Sequence, residues 1–207
     1  MQRTAGAVIL LVAALSSCGD AGGQASAVDP AADPVDELSL HEGQFCPETL
    51  PLAPQETYGF GTDEAATQLP TLRAFDEAWL CSYETRDVAP SGANGAWFEW
   101  VRSGRPQRLS DDQLAAFSSA VGDLQLPGDG EYACTADLGP RHLVSLAWER
   151  DLTGVVVEDF GCGSVLLTDD PFVTIPGEAT QPGTVSGVLR QPPGGLLAGL
   201  DVERLGG

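Results

Sequence analysis

Residues 110–124, SDDQLAAFSSAVGDL, carry the clearest structural signal in the chain. Ser110 and Gln113 have the spacing of a capping box, in which each side chain bonds the backbone N–H of the other residue. Apolar side chains then recur every three or four residues: Leu114, Phe117, Val121 and Leu124. The pattern predicts one amphipathic helix with an apolar stripe, which ends at Leu126-Pro127-Gly128.

Strand patterns lie on both sides of this helix. Residues 79–83 and 97–102 alternate between apolar and polar side chains, and the Pro- and Gly-containing run between them would let them pair as a long hairpin. After the helix we expect strands at residues 142–149, 155–160 and 165–168, with a turn at 151–154. Residues 72–80 fit either a helix or a strand.

Together these patterns predict an α+β domain. We expect an antiparallel sheet of about four to five strands with one amphipathic helix packed on a face. The elements should come in the order two strands, helix, then two to three strands. With 207 residues and 43% hydrophobic residues, the chain has room for one such domain and some unstructured additions.

The N-terminus predicts export. Residues 5–15 form an apolar run of eleven residues after Arg3, which is shorter than the about 20 residues that a membrane span needs but typical of a signal peptide. Leu15-Ser16-Ser17-Cys18 matches the lipobox of bacterial lipoproteins, in which the cysteine is acylated and the chain is cut before it. We expect residues 1–17 to be a signal peptide and Cys18 to carry lipid. The alternative is an ordinary signal peptide in which Cys18 has no role.

Composition divides the mature chain into three segments. Residues 18–44 are acidic, are rich in Ala, Gly, Asp and Pro, and predict a disordered tether behind the lipidated cysteine. Residues 45–171 should form the single disulfide-bridged domain. Residues 172–207 are again rich in Pro and Gly and predict a tail with at most one helical turn, at residues 195–202.

Four cysteines remain beside Cys18, and they allow three pairings. We favour Cys46 with Cys81 and Cys134 with Cys162, which close intervals of 35 and 28 residues. A zinc site is not expected, because no two of these cysteines have the spacing of zinc ligands. The absence of a Cys-x-x-Cys motif also gives no support to a thiol oxidoreductase.

Charge limits the possible partners. The chain has 30 acidic and 10 basic residues and a formal net charge of −20, so it should repel the phosphates of nucleic acids. The same charge gives no attraction to anionic lipid headgroups. We therefore expect no nucleic-acid partner, and contact with the membrane through the lipid on Cys18.

The sequence contains no recognisable catalytic motif and predicts no cofactor or metal. His41 lies in the predicted tether and His142 at the start of a strand, so neither is placed as a catalytic base. Asp111 and Asp112 could be an acid/base pair, but the capping box explains them as helix-start residues. Among the aromatic residues, which should mostly pack in the core, Trp97 is the candidate for a ligand-binding patch.

The segment Cys134-Thr135-Ala136-Asp137-Leu138-Gly139-Pro140, with the strand pattern and the residues up to Asp170 that follow it, resembles uncharacterised secreted lipoproteins of high-GC Gram-positive bacteria. The resemblance implies a lipid-anchored protein outside the cytoplasm with paired cysteines, and it brings no activity.

We thus expect a lipid-anchored protein on the extracytoplasmic face of the cell membrane, with a non-enzymatic binding or envelope role. The alternatives are a secreted hydrolase that uses a carboxylate pair and a surface protein that binds divalent cations.

Overall fold

The structure is a computed structural model that describes residues 36–52, 62, 64–87, 98–128, 139–158, 163–200 and 202. All of these residues belong to one compact unit. The elements in these ranges are α1 (Glu37–Leu40), β1 (Glu77–Asp87), β2 (Phe98–Arg108), α2 (Asp111–Gly122), β3 (Arg141–Trp148), β4 (Asp151–Glu158), β5 (Ser164–Thr168) and β6 (Leu189–Arg190).

The strands of the described residues form one antiparallel sheet in the order β2-β1-β3-β4-β5-β6. The structure thus has the antiparallel sheet and the mixture of helix and strand that the sequence predicts. The finer prediction is wrong, because the sheet has six strands, a second helix precedes β1, and β6 follows in the segment assigned to the tail.

The elements around α2 largely follow the sequence patterns. Strands β1 and β2 pair as the predicted hairpin, and β1 begins at Glu77, so the second half of the ambiguous segment 72–80 is strand. Ser110 and Gln113 form the capping box, with side-chain to backbone distances of 3.3 and 2.9 Å. The helix ends at Gly122, before the predicted stop, and its cap is Asp123.

The prediction of a turn at residues 151–154 is wrong, because these residues belong to strand β4. Trp148 pairs directly with Asp151, so the two strands are joined by a two-residue turn at Glu149 and Arg150. Both turn residues have positive φ, 46° and 79°, a conformation that tight hairpins need and that Gly or Asn usually supplies. Because neither residue is a usual turn former, the sequence did not reveal the turn.

Both faces of the sheet are buried. One face packs against α2 and the C-terminal segment around side chains such as Val144, Phe117 and Leu196. The other face packs against residues 45–52 around Tyr83, Trp100 and the disulfide. The central strand β3 is consequently buried along nearly its whole length, as expected for a strand that is covered on both sides.

The predicted boundaries of the domain need two corrections. The segment assigned to a disordered tether contains α1, which bonds to the sheet from Asp36 onward. The predicted tail is also part of the domain, because β6 joins the sheet and Leu189 and Leu196 are fully buried.

The C-terminal segment is ordered although it is rich in glycine, and the backbone conformation of these glycines explains why. Gly187 has a φ of 94°, and a Cβ there would lie 2.7 Å from the backbone nitrogen of Ala66. This close approach lets Val188 pair with residues 64–66 through hydrogen bonds of 2.7 and 2.9 Å. Glycine in this segment thus serves close packing and not flexibility.

Strand β2 is an edge of the sheet. Residues 48–50 lie along part of it, with bonds from Leu50 N–H to the Trp100 carbonyl (3.1 Å) and from Arg102 N–H to the Glu48 carbonyl (2.8 Å). Farther along the strand, Arg105 is exposed and is followed by Pro106.

The predicted disulfide between Cys46 and Cys81 is present, and it ties residues 45–52 to β1. Cys134 and Cys162, the other predicted pair, lie outside the described residues, as do the predicted signal peptide and Cys18. No helix in the described ranges is long and apolar enough to cross a membrane.

Candidate functional site

The main cluster of interacting charged groups lies where α1 meets the sheet, and we call it the α1 junction: Asp36, Glu37, His41, Arg150 and Asp170. Its first part holds the tight turn between β3 and β4. The Leu38 N–H donates to the Arg150 carbonyl (3.0 Å), and the Arg150 guanidinium donates to the Asp36 carboxylate (2.8 Å). These contacts fix a turn residue whose positive φ is otherwise unfavourable.

Glu37 is the buried carboxyl group of the α1 junction. Its residue is 7% exposed, and its Oε2 accepts the N–H of Leu152 at 2.7 Å. Burial raises the pKa of Glu37 to about 7, because a charged carboxylate loses its hydration there. The Leu152 bond opposes this shift, whereas the negative charges of Asp170, Asp151 and Asp169 add to it. Near neutral pH this group therefore changes between its charged and uncharged forms.

His41 adds two contacts to the α1 junction, one with Asp170 and one with Phe172. Its Nε2–H donates to the Asp170 carboxylate at 2.8 Å, and its ring stacks on Phe172 with centroids 3.8 Å apart. His41 is therefore held in place, and the prediction that it lies in a disordered tether is wrong. No local sequence pattern indicates this contact, because the two partners lie 129 positions apart.

Asp169, next to the α1 junction, binds the C-terminal segment and not α1. Its carboxylate accepts the backbone N–H groups of Thr180 and Gln181 and the hydroxyl of Thr184, at 2.6 to 3.2 Å. Because these donors all lie in the C-terminal segment, Asp169 fixes that segment to the end of β5. The neighbouring Asp170 meanwhile binds α1, so two consecutive acids hold two distant parts of the chain.

The pKa of Glu37 leads to a pH prediction. Folding favours the protonated form of this carboxyl group, whose ordinary pKa is 4.5. The resulting stabilisation is complete below about pH 4.5 and is lost as the pH rises through about 7. We expect the loss to be about 2 kcal/mol, because the protein can relax around the charged carboxylate and offset part of its lost hydration.

Urea unfolding of the protein and of Glu37→Gln tests this. The difference in unfolding free energy between the two should change by about 2 kcal/mol between about pH 5 and about pH 8, with the variant relatively more stable at the higher pH. Glu42→Gln, at an exposed position of the same segment, is the control. Parallel pH profiles for Glu37→Gln and the protein would contradict the assignment.

A second buried charge lies at the other end of the sheet. Arg141 is 2% exposed, its guanidinium lies 3.7 Å from the centre of the Trp100 ring, and it donates to the Glu158 carboxylate at 2.6 Å. Burial lowers the pKa of Arg141 to about 10, and the charge of Glu158 limits the shift. The arginine remains charged at neutral pH, so this group is a structural ion pair under an aromatic ring.

His142 and Ser82 face each other on β3 and β1. The His142 Nδ1 lies 3.1 Å from the Ser82 hydroxyl oxygen, a pairing that the sequence did not reveal because 60 residues separate the two. His142 is only 4% exposed. A histidine buried within the central strand fits a structural role better than that of a base open to substrate.

The aromatic residues divide as expected for core packing. Tyr83 and Trp100 are fully buried. The Tyr83 hydroxyl donates to the Pro47 carbonyl, and the Trp100 ring N–H donates to the Gly139 carbonyl. Trp79 is half-buried and stacks on Phe45 with centroids 4.7 Å apart. Trp97, the candidate ligand-binding residue, lies outside the described residues.

The carboxylates of the α1 junction bond to groups of the protein itself. Among the residues that the structure describes, no group of three or more His, Cys, Asp or Glu side chains could hold a metal ion. At the α1 junction the carboxylates are instead engaged by protein donors, namely Arg150, His41 and the Leu152 N–H.

Searches of protein families, of curated proteins and of solved structures found no match to this chain.

Proposed function

We propose that this protein is a lipid-anchored domain on the extracytoplasmic face of the cell membrane. In this proposal the signal peptide, residues 1–17, is removed and Cys18 carries the lipid. The Cys46–Cys81 disulfide is the observation that carries the extracytoplasmic location, because structural disulfides form in oxidising compartments outside the cytoplasm; the lipid anchor itself rests on the sequence Leu15-Ser16-Ser17-Cys18. Both cysteines are almost fully buried, which is typical of a structural bridge and not of a reactive one.

The position of α1 agrees with such an anchor. The described chain begins at Asp36, which lies 18 positions after Cys18. A chain of this length reaches at most about 60 Å, and a flexible one spans about 20–25 Å on average. The domain would thus be held within about its own diameter of the bilayer.

We further propose that the domain acts by binding or by an envelope role and not by catalysis. A hydrolase with a carboxylate pair would need two acids near a substrate, one of them with a raised pKa. Glu37 and Asp151 both have a raised pKa, mainly because of burial. The Glu37 carboxyl group, however, already accepts a backbone N–H beneath α1, and this supports a structural role for it.

Substitution of the anchor cysteine tests the proposal. In the producing cells, Cys18→Ala should move the protein from the membrane fraction to the soluble fraction, because the lipid supplies the membrane affinity. Ser17→Ala is the matched control, since it keeps a small residue before an intact cysteine. Intact-mass analysis of the membrane-bound protein should show an acylated N-terminus at Cys18. An unmodified Cys18, or a Cys18→Ala protein that has lost residues 1–17 and still stays with the membranes, would refute the lipid anchor.

A further inference from the structure

Two of the most exposed apolar side chains in the described part of the chain lie beside the α1 junction. Leu40 and Val173 are each 68% exposed, against 47% for Leu69 and 42% for Leu126. His41 follows Leu40 and Phe172 precedes Val173, and the rings of His41 and Phe172 are stacked. Leu40 and Val173 therefore lie on adjoining segments of the surface. We call Leu40, Phe172 and Val173 the α1 patch.

Three of the acidic groups next to this patch are paired or buried, whereas the carboxylate of Glu42 is exposed. Asp36 is paired with Arg150, and Asp170 is bonded to His41. Glu37 is buried, and its pKa of about 7 leaves it partly uncharged at neutral pH. This reduces the electrostatic penalty of bringing the patch to a surface of low polarity.

The position of the patch in the chain indicates which surface this is. Leu40 lies four residues after Asp36, the point where the chain enters the described domain from the direction of Cys18. Because the chain joins the described domain at Asp36, a lipid on Cys18 would limit the distance between α1 and the bilayer more strictly than that of any element farther along the chain. Of the exposed apolar side chains, Leu40 lies nearest to this attachment point along the chain.

We propose that the α1 patch is a membrane-docking surface whose side chains enter the headgroup region of the bilayer. This inference rests on the lipid anchor proposed above. The expected partner is an uncharged or zwitterionic lipid surface, because the protein offers no concentration of basic residues here that would select anionic lipids. Two or three side chains add little affinity alone, and their effect is to orient a domain that the lipid already holds at the surface.

The experiment uses the acylated full-length protein in phosphatidylcholine vesicles. An environment-sensitive fluorophore is attached to a cysteine at position 40 (Leu40→Cys) or 173 (Val173→Cys), with Leu126→Cys as the matched control. Docking places the first two sites about 5–10 Å into the boundary between headgroups and acyl chains, so a spin label on the acyl chains should quench them at least about twofold more than the control. Leu40→Asp should abolish the extra quenching at position 173, and Leu126→Asp should leave it unchanged.

The outcomes separate the two proposals. Equal quenching at positions 40, 173 and 126 in a protein whose mass confirms acylation would overturn the docking surface and leave the anchor standing. A protein without lipid on Cys18 would overturn both. The fluorophores at positions 40 and 173 could instead report an apolar environment that increases with protein concentration and does not need vesicles. That result would assign the surface to a second copy of the chain and would overturn the membrane as its partner.

Discussion

Replacing Trp100 by alanine should lower the free energy of unfolding by about 4 kcal/mol. This side chain is fully buried between the sheet and residues 45–52, where it contacts Phe98 edge-on and lies under the Arg141 guanidinium. The substitution removes a large apolar surface from the core and leaves a cavity. It also takes away the aromatic face that partly compensates a buried positive charge.

Urea unfolding followed by circular dichroism measures this loss, with Trp100→Phe as the matched control. Phenylalanine keeps a ring below Arg141 and gives up the bond from the Trp100 ring N–H to the Gly139 carbonyl, so it should cost much less. A double-mutant cycle with Arg141→Met should show a coupling of about 1 kcal/mol between ring and guanidinium. If Trp100→Ala unfolds at nearly the same urea concentration as the protein, Trp100 is not the core residue that its burial indicates.

Removing the Cys46–Cys81 bridge should have an effect of similar size. The disulfide closes a loop of 35 residues, and restricting such a loop in the unfolded chain stabilises the folded state by about 4 kcal/mol in the chain-entropy model. The bridge joins the segment that covers one face of the sheet to β1. Without it, that cover would be held by bonds such as those from residues 48–50 to the edge of β2.

The double substitution Cys46→Ala/Cys81→Ala tests this, because it leaves no free thiol at either position. Its unfolding free energy should fall by about 4 kcal/mol, whereas the single substitutions carry the added effect of a reactive thiol. A loss below about 1 kcal/mol would mean that the loop is already restricted in the unfolded chain. The pairing of Cys134 with Cys162 stays a prediction, and non-reducing peptide mapping of the unsubstituted protein tests it.

The sequence predicts best those features that depend on neighbouring residues. The capping box of α2 involves Ser110 and Gln113, three positions apart, and the β1–β2 hairpin depends on side-chain alternation in each strand. The turn at Glu149 and Arg150 shows the limit of this approach. Contacts with α1, more than 100 residues earlier, hold that turn, and no local pattern records them.

The sequence did not predict the α1 junction either, because its contacts also join residues that are far apart along the chain. An acidic, Pro-rich stretch normally lacks the apolar area that ordering requires; residues 18–44 fit that description, and Asp36 to His41 lie among them. They are ordered by polar contacts, namely the bonds of Glu37 to Leu152 and of His41 to Asp170. The C-terminal segment is similar, since the Asp169 carboxylate and positive-φ glycines order it, which composition alone cannot show.

The exposed end of β2 has a consequence for how many copies of this domain can share one surface. A free sheet edge invites a strand from another molecule, and molecules confined to a membrane meet far more often than molecules in solution. Residues 48–50 occupy part of this edge, and beyond them Pro106 offers no N–H while Arg105 places a charge there. The chain thereby discourages edge-to-edge association, and under the lipid anchor proposed above many copies could share a bilayer without forming continuous sheets.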